Sequence, residues 1–228
     1  TISVTGANNA VMADYNTGSG LSGFTRGVSV DLSSGADTLN PTGSATDAFG
    51  TDVLVNVRGV SATSLADTIF GTNFDDRFRG YAGNDYFNGR NGSDLVDYAM
   101  NASSQAVSVN LGSGAANDGL GGTDTLISIE QVRGTAGNDT IIGGLGNDSL
   151  VGGNDTDWLD YSAETGAVTV TLNSRATLAG GNDSLSGFEV LISGTGNDVL
   201  TGTTSAETIY AGAGSDSISA SSGNDWIE

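Results

Sequence analysis

Gly134-Thr-Ala-Gly-Asn-Asp139-Thr-Ile-Ile142 runs without a break into Gly143-Gly-Leu-Gly-Asn-Asp148-Ser-Leu-Val151 and then Gly152-Gly-Asn-Asp-Thr-Asp157-Trp-Leu-Asp160. Each nine-residue unit is a six-residue turn of Gly, Asn and Asp followed by three residues with an apolar one in the middle. A nine-residue ruler finds two more runs, with acids at Asp67, Asp76, Asp85 and Asp94 and at Asp198, Glu207, Asp216 and Asp225. Two residues after each of the eleven acids the side chain is apolar: Ile69, Phe78, Phe87, Val96, Ile141, Leu150, Leu159, Leu200, Ile209, Ile218 and Ile227. Only 37% of the chain is apolar, so eleven such coincidences do not arise by chance. A short repeat therefore governs the fold.

The unit itself dictates a coil. Glycine adopts backbone angles that other residues resist, and Asn and Asp tolerate them next best. Three residues of strand after a tight turn form one side of a flattened coil, with the middle side chain inward and its neighbours outward. Two units, eighteen residues, complete one coil. Stacked coils give two parallel sheets with a column of Ile, Leu, Val and Phe between them. One unit cannot bury its apolar residue; a stack can.

Units eighteen residues apart then lie directly above one another. This pairs Asp67 with Asp85, Asp76 with Asp94, Asp139 with Asp157, Asp198 with Asp216, and Glu207 with Asp225. Carboxylates facing each other about one strand spacing apart (~4.8 Å) repel unless a cation sits between them. The chain has seven Lys and Arg in total, all of them arginine, and most lie elsewhere, which points to a cation from solution. With no His and no Cys, the nitrogen and sulfur ligands that zinc and copper prefer are missing. Carboxylates and turn carbonyls form a flexible all-oxygen set, which suits several calcium ions better than the strict octahedron of magnesium. An EF-hand is excluded, because Asp155-Thr-Asp157 lacks the glycine and the bidentate Glu that such a loop needs.

These units resemble the hemolysin-type calcium-binding nonapeptides of RTX proteins, Gly-Gly-x-Gly-x-Asp-x-apolar-x. The match is good in Gly143–Val151 and looser elsewhere: Asp155 replaces a glycine, Glu207 replaces the aspartate, and Ala211 and Ala220 replace the first glycine. The resemblance implies an all-β fold, a right-handed parallel β-roll (a β-solenoid). Calcium would lie between successive turns, held by the sixth-position acid and backbone carbonyls. It also implies export by a type I secretion route.

A larger repeat overlies the nonapeptides. Asp14-Tyr15, Asp97-Tyr98 and Asp160-Tyr161 each open a copy, followed by Val28–Leu32, Val107–Leu111 and Val168–Leu172 in a Val-x-Val-x-Leu pattern. A polar loop of variable length comes next, and then a spacer strand beginning near Asp52, Asp124 or Asp183, fifteen residues before Asp67, Asp139 and Asp198. Variable loops between fixed strands read as excursions from a continuous solenoid. The expectation is a single elongated domain over 1–228 with repeats at about 14–96, 97–159 and 160–228.

The net charge of −20 argues against a nucleic-acid partner, and calcium at five vertical pairs would halve it. No apolar stretch is long enough to span a membrane. Without His or Cys there is no obvious base or thiol nucleophile, and no Gly-x-Ser-x-Gly elbow or His-Glu-x-x-His helix is present, so no enzyme activity is expected. The expected role is a secreted or cell-surface structural segment, such as an extender, surface-layer, filament or adhesin part, that folds on binding extracellular calcium. It could self-associate end to end or with other surface proteins. The alternative is a non-catalytic secretion and stability domain of a secreted protease, lipase or alginate epimerase. A weaker one is a polysaccharide- or ice-binding face, for which Trp158 and Trp226 occupy equivalent outward positions.

Overall fold

The computed structural model describes residues 2–3, 11–15, 27–32, 42–47, 50–99 and 105–228. Val4, which the alternation places in a first strand, and residues 33–41, 48 and 49 of the first polar loop lie outside them. Among the described residues there is no helix, and the strands fall into two compact units. One comprises 1–100 with 114–129; the other comprises 101–113 with 130–228.

In the first unit one sheet runs in the order Ile2–Ser3, Thr51–Val55, Thr42–Thr46, Ser29–Asp31, Thr68–Phe70, Tyr86–Asn88, Thr123–Ile127 and Ala115–Asn117. The facing sheet holds Val11–Asp14, Val57–Ser61, Arg77–Arg79 and Leu95–Asp97. In the second unit one sheet stacks Ser108–Asn110, Thr140–Ile142, Trp158–Asp160, Val190–Ile192, Thr208–Tyr210 and Trp226–Ile227. The other stacks Gln131–Arg133, Ser149–Val151, Gly181–Ser186, Arg175–Leu178, Thr169–Thr171, Val199–Thr201 and Ser217–Ser219. Most pairings are parallel, and each unit is a β-roll.

The eighteen-residue coil is seen directly in the register. Ile69 pairs with Phe87, Phe78 with Val96, Ile141 with Leu159, Leu200 with Ile218, and Ile209 with Ile227. Nine of the eleven column residues are fully buried, since the middle residue of a three-residue strand has only the interior to face. Ile218 is half-buried and Ile227 exposed, because their strands are outermost in their sheets. The Phe78 and Phe87 rings stack across the core with centroids 5.8 Å apart.

The polar loops are more ordered than simple excursions. Each contributes a strand that folds back antiparallel into the sheet: Thr42–Thr46, Ala115–Asn117 and Arg175–Leu178. Their central residues Ala45, Ala116 and Ala176 are buried, small side chains that fill the core in an otherwise polar segment. The fifteen-residue spacing also has a cause. A shortened turn replaces the six-residue one after each spacer strand: three residues separate Thr123–Ile127 from Gln131–Arg133 and Gly181–Ser186 from Val190–Ile192, and Asn56 alone separates Thr51–Val55 from Val57–Ser61. These short turns open on Asn56 (φ 58), Ser128 (φ 49) and Gly187 (φ 71), left-handed residues that reverse the chain in fewer steps.

Candidate metal centre

All eleven nonapeptide acids lie at the edges of the rolls, where turn meets strand. Nine are buried, and Asp216 and Asp225 are half-buried. The five vertical pairs are present, each joined by one hydrogen bond from the backbone N–H of the first acid to the carboxylate of the acid eighteen residues on. The distances are 2.9 Å for Asp67–Asp85, 2.8 Å for Asp76–Asp94, 2.8 Å for Asp139–Asp157, 2.9 Å for Asp198–Asp216 and 3.1 Å for Glu207–Asp225. One carboxylate oxygen of each upper acid therefore points to a backbone donor rather than straight at the carboxylate beneath.

The ladder reaches further than the ruler. Asp85 N–H donates to Asp124 at 3.0 Å, Asp148 N–H to Asp183 at 3.0 Å, and Asp157 N–H to Glu189 at 2.9 Å. At the other end, Val28, Val107 and Val168 donate to Asp67, Asp139 and Asp198. The ruler missed Asp124, Asp183 and Glu189 because the short turns shift the phase. The fifteen-residue recurrence marks the first two as equivalent positions in successive copies but does not place them on the ladder.

Two of the three Asp-Tyr pairs of the larger repeat serve this ladder, whereas the Tyr15 hydroxyl of the first is buried without a hydrogen-bond partner. Tyr98 Oη donates to Asp124 Oδ2 at 2.8 Å, and Tyr161 Oη to Asp183 Oδ2 at 2.6 Å. Burial, then the facing carboxylate, pushes both phenols well up, so they stay protonated and donate. Asp97 is itself held by Arg77 and Arg79. Burial opposes its ionisation, but their hydrogen bonds and charges keep its carboxyl below the usual range. Arg90 pairs with Asp31 at 3.0 Å.

The remaining carboxylates are short of positive charge. Thirteen are buried among the described residues, and two of the chain's seven arginines are taken up by Asp97 alone. Asp76 Oδ1, Asp85 Oδ2 and Asp157 Oδ2 are buried with no hydrogen-bond partner. Burial, reinforced by Asp124, pushes Asp85 up to about 8; burial, with Asp139, pushes Asp157 to about 7; burial takes Asp76 and Asp148 to about 6. A buried carboxylate in this condition needs either a proton or a cation.

The oxygens that could complete a cation site are backbone ones. A Cβ on Gly134 would lie 2.3 Å from both Asp139 Oδ2 and Gly152 O; one on Gly71 would lie 2.7 Å from both Asp76 Oδ2 and Gly89 O. Carboxylate and next-coil carbonyl oxygens thus converge where only glycine leaves room. Among the described residues no three acidic side chains gather into a cage, so carbonyls must supply much of any coordination. The donor set is all oxygen, which fits calcium.

A family model for the RTX calcium-binding nonapeptide repeat matches the chain in four copies, at residues 61–96, 129–163, 183–218 and 192–227, just over half of its length. The chain belongs to this family. No curated protein matches it. The RTX repeats cover every acid on the nine-residue ruler, and they bind calcium. Asp124 lies between two matched segments, so its place in the ladder is visible only in the geometry. Outside the RTX turns, Trp158 is half-buried and stacks on Tyr210 at 6.2 Å, whereas Trp226 is 63% exposed. No helix of the described residues is long and apolar enough to cross a membrane.

Proposed function

We propose that the chain is a calcium-switched structural segment of a secreted or cell-surface protein, with no catalytic role of its own. The observation that carries this reading is the column of buried carboxylates in a chain with 27 acids and only seven basic residues. A fold built this way is held open by repulsion where calcium is scarce and closed where it is abundant, as outside the cell. Membership of a family typical of secreted proteins and the complete absence of His and Cys fit the same reading.

The magnitudes suffice for a switch. With a dissociation constant near ~0.1 mM, as extracellular modules have, millimolar calcium adds about 1.4 kcal/mol per site. Several such sites together rival the whole stability of a typical domain, about 5–15 kcal/mol. Circular dichroism should show little β structure in excess chelator and its recovery on adding millimolar Ca²⁺. A chain fully folded in chelator sinks the proposal.

A further inference from the structure

The eleven nonapeptide acids do not sit in eleven equivalent turns. In the turns ending at Asp67, Asp76, Asp139 and Glu207, the second residue is threonine. The hydroxyl and the N–H of Thr63, Thr72, Thr135 and Thr203 both donate to the acid of their own turn. Ser193, in first position, closes Asp198 with its hydroxyl alone, its N–H being donated to Tyr210 O. None of these five turns contains a left-handed residue.

The turns ending at Asp85, Asp94, Asp157, Asp216 and Asp225 have another backbone. Their second and fourth residues are left-handed: Tyr81 (φ 70) and Gly83 (φ 122), Arg90 (φ 74) and Gly92 (φ 131), Gly153 (φ 142) and Asp155 (φ 64), Gly212 (φ 82) and Gly214 (φ 146), Ser221 (φ 70) and Gly223 (φ 147). None has a second-position threonine. Asp85 and Asp157, 1% and 0% exposed, each keep a buried Oδ2 without a hydrogen-bond partner. Asp148 is intermediate: only Gly146 in its turn is left-handed, and its Oδ2 takes the Gly144 N–H.

The two kinds alternate in space. Every vertical pair sets an open, left-handed turn on a hydroxyl-closed one eighteen residues earlier. The closed turn offers its carbonyls upward: a Cβ on Gly212 or Gly214 would lie 1.9 Å from Gly194 O or Gly196 O, and one on Gly153 would lie 2.1 Å from Thr135 O.

We propose that the open turns alone supply carboxylates to calcium, through Asp85, Asp94, Asp157, Asp216 and Asp225. The five closed turns contribute carbonyl oxygens and are metal-independent bases on which each site is built. Their acids already receive hydrogen bonds from a hydroxyl of their own turn and, at Asp67, Asp139 and Asp198, from the valine N–H of the preceding coil. At Asp76 the preceding coil presents Arg58 instead, whose guanidinium lies 3.9 Å over the Phe74 ring and lowers the Asp76 pKa against the larger effect of burial. The sequence mark of a closed turn is Thr in second position, or Ser in first, and it divides ten of the eleven nonapeptides into two functional classes, with the Asp148 turn in neither.

This rests on calcium binding by the repeats and is tested by counting ions. Equilibrium dialysis of the full chain against Ca²⁺ should give five bound ions. Asp157→Asn and Asp85→Asn should each remove one, whereas Asp139→Asn and Asp67→Asn should retain all five. Thr135→Val, which removes the closing hydroxyl but leaves the carboxylate, should also retain five and serves where an Asp139 variant does not fold by circular dichroism. Equal losses from Asp139→Asn and Asp157→Asn, a changed count in Thr135→Val, or eleven ions in the unaltered chain overturn the division while calcium binding stands. No uptake by any variant, the unaltered chain included, overturns the division and calcium-driven folding together.

Discussion

Asp124 and Asp183 differ from the other ladder acids by one neighbour, a tyrosine hydroxyl on the second oxygen. These two carboxylates are complete without a metal, since the other oxygen takes the N–H of Asp85 or Asp148. Tyr161→Phe should therefore cost about 1–3 kcal/mol, the usual penalty for leaving a buried polar group unsatisfied, without changing the number of bound calcium ions. Chemical denaturation at saturating Ca²⁺ measures the first and dialysis the second. Unchanged stability would mean that the hydroxyl is not needed there. At this scale the sequence showed the eleven acids and their five stacked partners, because a fixed period projects directly onto space. It did not show what the tyrosines do. Tyr98 and Tyr161 lie 26 and 22 residues from their acids, distances that follow no period because a variable hairpin intervenes. The distinction between threonine and left-handed turns was hidden for a related reason, since a consensus of glycines treats the second position as one site.

Turns stack tightly enough that glycine is required at some positions and idle at others. A Cβ on Gly181 would lie 1.5 Å from the backbone oxygen of Gly146, a clash that no side-chain movement relieves. Gly166 has nothing within 4 Å of the same point and is not left-handed. Gly181→Ala should then cost several kcal/mol through displacement of the coil, of the order seen for strained or overpacked sites. Gly166→Ala should be neutral or up to about 1 kcal/mol stabilising, by restricting the unfolded chain. Thermal melts in millimolar Ca²⁺ compare the two, and equal effects would show that the coils are not packed as closely as the register requires. The parallel strands were legible because their middle residues are large and apolar. The hairpin strands were not: only Ala45, Ala116 and Ala176 face inward in them, and alanine among Ser, Thr, Asn and Gly carries no visible alternation. The short turns were legible as a fifteen-residue spacing, but their left-handed Asn56, Ser128 and Gly187 were not, since neither Asn nor Ser marks that conformation by itself.

Over the whole molecule, charge sets the conditions under which the chain folds. With 27 acids against seven basic residues, protons and calcium are alternative ways to neutralise the buried columns. Without metal, burial raises Asp76 to about 6, Asp157 to about 7 and Asp85 to about 8 in the folded chain, against an ordinary carboxylate value of about 4 when unfolded. Between those limits the folded form binds more protons than the unfolded form, so stability falls as pH rises. The contribution of these groups is fully present below about pH 4 and is lost as the pH climbs through 6 to 8. In chelator, β structure measured by circular dichroism should therefore be greater at pH 5 than at pH 8. Calcium requires the ionised carboxylates and competes with the protons, so its apparent affinity should rise over the same interval. Binding should also release protons, which calorimetry in buffers of different ionisation enthalpy detects. A calcium midpoint that does not move between pH 5.5 and 8 would show that the buried acids are already ionised before the metal arrives. The chain would then have to hold its negative columns together by backbone donors alone.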